Sequence, residues 1–140
     1  MITHIVRMSI RTDASEEQIG AAMQRMAEAS AQMSAETTGT TAGVFGRDFG
    51  DTFDFAAVST VATIEDYESM MNHPAHLEVD RAGLPLVDRF HSIDITDDPD
   101  PEIGAKIADI HRRRFERHPD LLDLVHSVDD YQGSGVPGRD

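Results

Sequence analysis

Ile2-Thr3-His4-Ile5-Val6-Arg7-Met8-Ser9-Ile10 puts Ile2, His4, Val6, Met8 and Ile10 at every second position, the repeat of a strand with one face turned to a core. His4 shares that face with apolar residues, so its ring is expected to point inward. Next, Ser15 and Gln18 have capping-box spacing, and Ile19, Ala22, Met23, Met26, Ala29 and Met33 recur at helical intervals, which predicts a long amphipathic helix. Residues 36–41 are rich in Thr and Gly and read as a loop. Two apolar runs, 42–49 and 53–61, flank Gly50-Asp51-Thr52 and read as a hairpin.

Thr63 with Asp66 three residues on predicts a short helix through Tyr67, Met70 and Met71, ended by Pro74. In His73-Pro74-Ala75-His76 the proline suits the first position of a second helix, because its φ is already helical and that position has no use for an N–H. His73 then caps the helix, and His76 lies on its first turn. Gly83 and Pro85 cut this helix short. From 90 to 95 the alternation returns, with Phe90, Ser92 and Asp94 on one face and His91, Ile93 and Ile95 on the other. Apolar residues on both faces predict helices on one side and a partner on the other.

Strand, helix, strand, strand, helices, strand is the order of a ferredoxin-like α+β fold: a four-stranded antiparallel sheet with helices on one face. Its open face calls for a second copy, hence a homodimer. The segments Thr3-His4-Ile5-Val6, the strand ending near Val61, His73-Pro74-Ala75-His76 and His91-Ser92-Ile93-Asp94 occur in the order of the stress-responsive A/B barrel (Dabb) family, which the chain resembles over residues 1–97. The resemblance implies a dimeric α/β barrel with a small pocket in each subunit between sheet and helices. In a plant polyketide cyclase of that family, which works without a cofactor, the acid–base histidine is matched by His76 and a second pocket histidine by His4. Met70 stands where that cyclase has a tyrosine, with Tyr67 one turn earlier; Phe55 stands where it has a third histidine. The helix-facing residues Val6, Met8, Met23, Met26, Phe55, Ala57, Met70, Val79, Phe90 and Ser92 would then wall the pocket and suit a largely apolar small molecule.

A neutral imidazole can take a proton from the carbon beside a carbonyl while a second polar group steadies the oxygen. The expected assignment is His76 as general base with His4 and Tyr67 as hydrogen-bonding partners, in a cofactor-independent cyclase, isomerase or lyase with no metal. Three alternatives stand beside it: a non-catalytic stress-responsive or ligand-binding barrel, a cofactor-free monooxygenase-like barrel, and a metal site built from His73, His76, His4 and Asp80.

The chain carries 26 acidic against 12 basic residues, a net charge of −14, which disfavours nucleic acid. It has no cysteine, so disulfides and thiolate chemistry are excluded. Absence of a long apolar run argues against a membrane partner, and the expected location is the cytoplasm. Arg112, Arg113, Arg114 and Arg117, offset by nearby acids, are expected to form a solvated helix face or an intersubunit salt-bridge zone. The barrel domain is assigned to residues 1–97. Residues 98–140 form a helical extension in which Ile103, Ile107, Ile110 and Phe115, then Leu121, Leu122, Leu124, Val125 and Val128, make apolar stripes that must pack on the subunit or its partner. The terminal stretch from Gly133, rich in glycine, is expected to be loose.

Overall fold

β1 (Ile2–Ile10) is the central strand of a five-stranded sheet, and its side chains at Ile2, His4, Val6 and Met8 are buried in strict alternation. The computed structural model describes residues 1–36, 40–50 and 52–133, with side chains at all of these except 34, 35 and 40–42. The sheet order is β2 (Thr40–Arg47), β3 (Phe55–Val61), β1, β4 (Val87–Thr96) and β5 (Asp130–Gln132). β1 pairs antiparallel with β3 and β4, setting His4 opposite Ser59 on one side and Asp94 on the other. The expected four strands are therefore joined by a fifth, β5, which runs parallel to β4 at Arg89–His91. Three residues of a polar Asp-Tyr-Gln segment show no alternation that would announce a strand.

The helix signals work as written. Ser15 Oγ accepts from Gln18 N (3.1 Å) and Gln18 Oε1 from Ser15 N (2.9 Å), starting α1 (Glu16–Glu36). Thr63 Oγ1 caps α2 (Ile64–Asn72) by accepting from Asp66 N at 3.1 Å. His73 Nδ1 accepts from Ala75 N at 3.1 Å and Pro74 opens α3 (Pro74–Gly83), which ends in a single 3-10 turn at Leu84–Leu86. Beyond β4 come α4 (Ile103–Arg117) and α5 (Pro119–Ser127). Residues 37–39, Asp51 and 134–140, including half of the expected loop and most of the expected loose terminus, lie outside the described residues, and the loop's other half belongs to the end of α1 and the start of β2.

Two clusters make the core. One joins Val6, Met8 and Val87 of the sheet to Leu77, Leu84, Phe115, Leu121 and Val125; the other joins Ile2 and Val61 to Tyr67, Met70, Met71, Ile103, Ile107 and Ile110. Both apolar stripes of the C-terminal segment are consumed in these clusters. Val44, Ile93 and Ile95 lie exposed on the opposite side of the sheet at 70%, 54% and 55%. None of the described helices is long and apolar enough to cross a membrane.

Candidate functional site

A cavity of about 110 Å³ opens between the inner face of the sheet and helices α1, α3 and α4. Val6, Met8, Met26, Ala57, Met70, Val79, Phe90 and Tyr131 form much of its wall, and Tyr131 stacks on Phe90 with ring centroids 5.1 Å apart. The chain just past β5 is drawn so close to β4 that a Cβ at Gly133 would lie 2.6 Å from Ser92 Oγ, so a larger residue there would have to displace that hydroxyl. At the polar end stand His4 and Ser92 from the sheet, His76 and Asp80 from α3, and His111 and Arg114 from α4.

Each imidazole has a partner that decides its form. His4 Nδ1 lies 2.8 Å from Asp94 Oδ1, and both side chains are buried. Burial works to raise Asp94, but the hydrogen bond from His4 prevails and holds its carboxyl below the usual range. Asp94 is thus a carboxylate that receives the Nδ1 proton, leaving Nε2 of His4 to act. His76 Nδ1 lies 3.0 Å from the carbonyl oxygen of Met70. A carbonyl can only accept, so the proton sits on Nδ1 and His76 Nε2 is bare. Burial, aided by the charge of Arg114, pushes His76 down to about 4 against the pull of Asp80.

Arg114 is 3% exposed and donates from Nη2 to Asp80 Oδ2 (2.6 Å) and from Nε to the Met71 carbonyl (2.7 Å). Burial alone would raise Asp80; the Arg114 guanidinium more than offsets it and keeps the carboxyl ionised. Behind His4, fully buried Tyr67 meets His111 Nε2 at 2.8 Å. Burial, then the Asp94 charge, moves the phenol well above its ordinary range, and burial pushes His111 down to about 4.

The expected residues are distributed unevenly around this site. His4, His76 and eight of the ten expected wall residues face the cavity, while Met23 and Phe55 line a separate recess of about 20 Å³ under α1. Tyr67 is not in the wall: its ring stands edge-on to His4, 5.9 Å between centroids, and its hydroxyl is directed to His111. His73 turns away and pairs through Nε2 with Glu36 at 2.9 Å. Among the described residues no group of three or more His, Asp or Glu side chains is placed to hold a metal ion. The expectation of a solvated arginine face holds for Arg112, paired with Asp109 and Glu116, and is corrected for Arg114, which is interior. Asp94, which backs His4, and the wall residues Ser30, Ser59, His111 and Arg114 are polar residues that had not been assigned to the site.

The family model of the Stress Responsive A/B Barrel Domain (Dabb) matches residues 2–97. The chain belongs to the Dabb family. No curated protein matches its sequence. Three solved structures show the same ferredoxin-like fold. A dimeric ferredoxin-like protein of unknown function from Thermobifida fusca YX is 17% identical, covering 68% of this chain and 89% of its own, at a TM-score of 0.58. Hydroxynitrile lyase from Passiflora edulis is 19% identical, covering 69% and 94%, at 0.55. A putative antibiotic biosynthesis monooxygenase from Nitrosomonas europaea is 13% identical, covering 69% and 97%, at 0.57. In this Dabb protein His4, His76, Asp80 and Asp94 fall inside the matched region, whereas His111, Arg114 and Tyr131 lie beyond it.

Proposed function

We propose that this Dabb protein is a cofactor-independent acid–base enzyme acting on a small carbonyl compound, of cyclase, isomerase or lyase type. The observation that carries the reading is His4, backed by the buried Asp94, sharing a cavity wall with a neutral His76. The roles differ from the sequence expectation. A proton arriving on His4 creates an imidazolium whose Nδ1–H already points at a carboxylate 2.8 Å away, so the charge is compensated where it forms. On His76 the same charge would be opposed by burial, and the Asp80 carboxylate is already engaged by Arg114. His4 is therefore the base, and His76 accepts a hydrogen bond from a substrate hydroxyl or enol. Oxygen charge that develops as the proton leaves has the hydroxyls of Ser59 and Ser92 as donors in the same wall.

The wall also describes the substrate. Its one carboxylate, Asp80, and its one guanidinium, Arg114, are bound to each other, so a neutral molecule is favoured over an ion. A volume of about 110 Å³ suits a compact body of roughly benzene size, with longer substituents running out of the mouth. The lyase of the same fold from Passiflora edulis adds weight to a reaction that makes or breaks a bond next to oxygen.

The test is deuterium exchange, followed by proton NMR in D₂O, at the carbon beside the carbonyl of cyclohexanone and a panel of similar ketones and aldehydes. Exchange that depends on the protein should fall by about 100- to 10,000-fold in His4→Ala, the range expected for a lost general base. A panel that exchanges no faster with protein than without it refutes the enzyme.

We further propose a homodimer across the open sheet face, in line with the dimeric protein of the same fold from Thermobifida fusca. Ile93 and Ile95 are half exposed there and Val44 more so, a set that a second copy would cover. Ile93→Asp places a charge in that contact and should convert a dimer into a monomer in sedimentation velocity at micromolar concentration. An unchanged sedimentation coefficient counts against this face.

A further inference from the structure

α4 lies outside the stretch matched by the Dabb model, yet its Arg114 grips both segments that hold His76. Through Nε it binds the carbonyl of Met71, the residue after the one whose carbonyl receives the His76 Nδ1 proton. Through Nη2 it binds Asp80 Oδ2 at 2.6 Å, one turn along α3 from His76. The other Asp80 oxygen stands 3.9 Å from His76 Nε2, beyond hydrogen-bond reach. A carboxylate and an imidazole at i and i+4 on a helix are placed to meet, and here the guanidinium draws the carboxylate aside.

We propose that Arg114 is a positioning residue for His76: by holding Asp80 and the end of α2, it keeps the carboxylate from closing on Nε2 and leaves that nitrogen facing the cavity as a bare acceptor. The C-terminal segment is then a working part of the site. This rests on the reading of the cavity as an acid–base site for its purpose, though not for its test. The groups that face His76 are the Met70 carbonyl from α2, Asp80 on its own helix, His4 from β1, and His111 and Arg114 from α4. Of these, Asp80 and the Met70 carbonyl favour an imidazolium, and Arg114 and His4 oppose it. Removing the guanidinium takes away one opposing charge and frees a carboxylate to approach, so both consequences act in the same direction.

The experiment is ¹⁵N NMR titration of His76 in the full chain. In the native protein His76 is expected as the Nδ1–H tautomer at pH 7, with a titration midpoint near 4. In Arg114→Gln the midpoint should rise by about one pH unit or more, a tenfold or greater gain for the imidazolium. In Arg114→Gln/Asp80→Asn it should fall back, since the carboxylate is gone. A midpoint that does not move in Arg114→Gln overturns the proposal. So does an Nε2–H tautomer in the native protein, a measurement that needs no variant to fold. An expected titration without ketone exchange would retire the enzyme alone; exchange with an unmoved titration would retire Arg114 alone.

Discussion

A chain cut after Asp97 should lose its cooperative thermal transition, although it retains every element of the region matched by the Dabb model. The reason lies in how the core is shared. Ile103, Ile107 and Ile110 supply part of one cluster, and Phe115, Leu121, Val125 and Val128 part of the other. Each such side chain contributes about 1.5–3 kcal/mol when fully buried. Deleting them also spares the entropy of ordering the segment, so the decisive loss is the cover on what remains. Tyr67, Met70 and Met71 would face water on one side, as would Leu77 and Leu84 on the other. A domain with a net stability of about 5–15 kcal/mol cannot expose two cores at once. Calorimetry of residues 1–97 checks this, and a single sharp transition close to that of the full chain would show that the segment is dispensable.

Acid should destabilise the full chain well before its carboxylates titrate. His76 and His111 sit near 4 in the folded protein, against about 6.5 for a free imidazole. Above pH 6.5 both are neutral, folded or unfolded, and contribute no pH dependence. As the pH falls from 6.5 toward 4 the unfolded chain takes up two protons that the folded chain does not, so stability drops across that window and levels off below it. At pH 4.5 the two together remove on the order of 5 kcal/mol, roughly 15 °C in Tm for a chain of this size. His111→Gln keeps a group that can bond to the Tyr67 hydroxyl and removes one of the two protons, so it should flatten about half of the slope. A Tm that stays level between pH 7 and 4.5 would mean that one or both imidazoles titrate normally in the folded state.

The parts of this architecture that are local were readable from the chain. Alternation in β1 gave the inward turn of His4, and side-chain oxygens at Ser15 and Thr63 marked where helices begin, because a cap is satisfied within three residues. His73 as a cap follows from Pro74 in the same way. The surroundings of the two cavity imidazoles depend on register and tertiary packing, which carry no local mark. Asp94 could be placed on the inner face, but only the β1–β4 register sets it opposite His4. Arg114 was hidden in a run of arginines. A signal was present: His111 follows Ile107, and Arg114 follows Ile110, by four residues each, so both continue the apolar stripe of α4 into the interior. Charge outweighed spacing in the reading, and spacing was the better guide. Tyr67 shows the reverse case, for its helical face does lead inward, but its hydroxyl meets His111 and its ring stands behind His4, outside the cavity wall.

β5 has one more effect, on solubility. β4 would otherwise end the sheet, and a strand end with unpaired N–H and C=O groups can recruit a strand from another chain. Asp130–Gln132 occupies that edge opposite Arg89–His91, and Arg89 Nε fastens it by donating to Asp130 Oδ2 at 3.1 Å. Three residues thus act as a stopper against chain-to-chain strand addition. A fusion or tag that pulls this segment away would leave most of the core intact and still invite aggregation, starting from the edge next to the cavity.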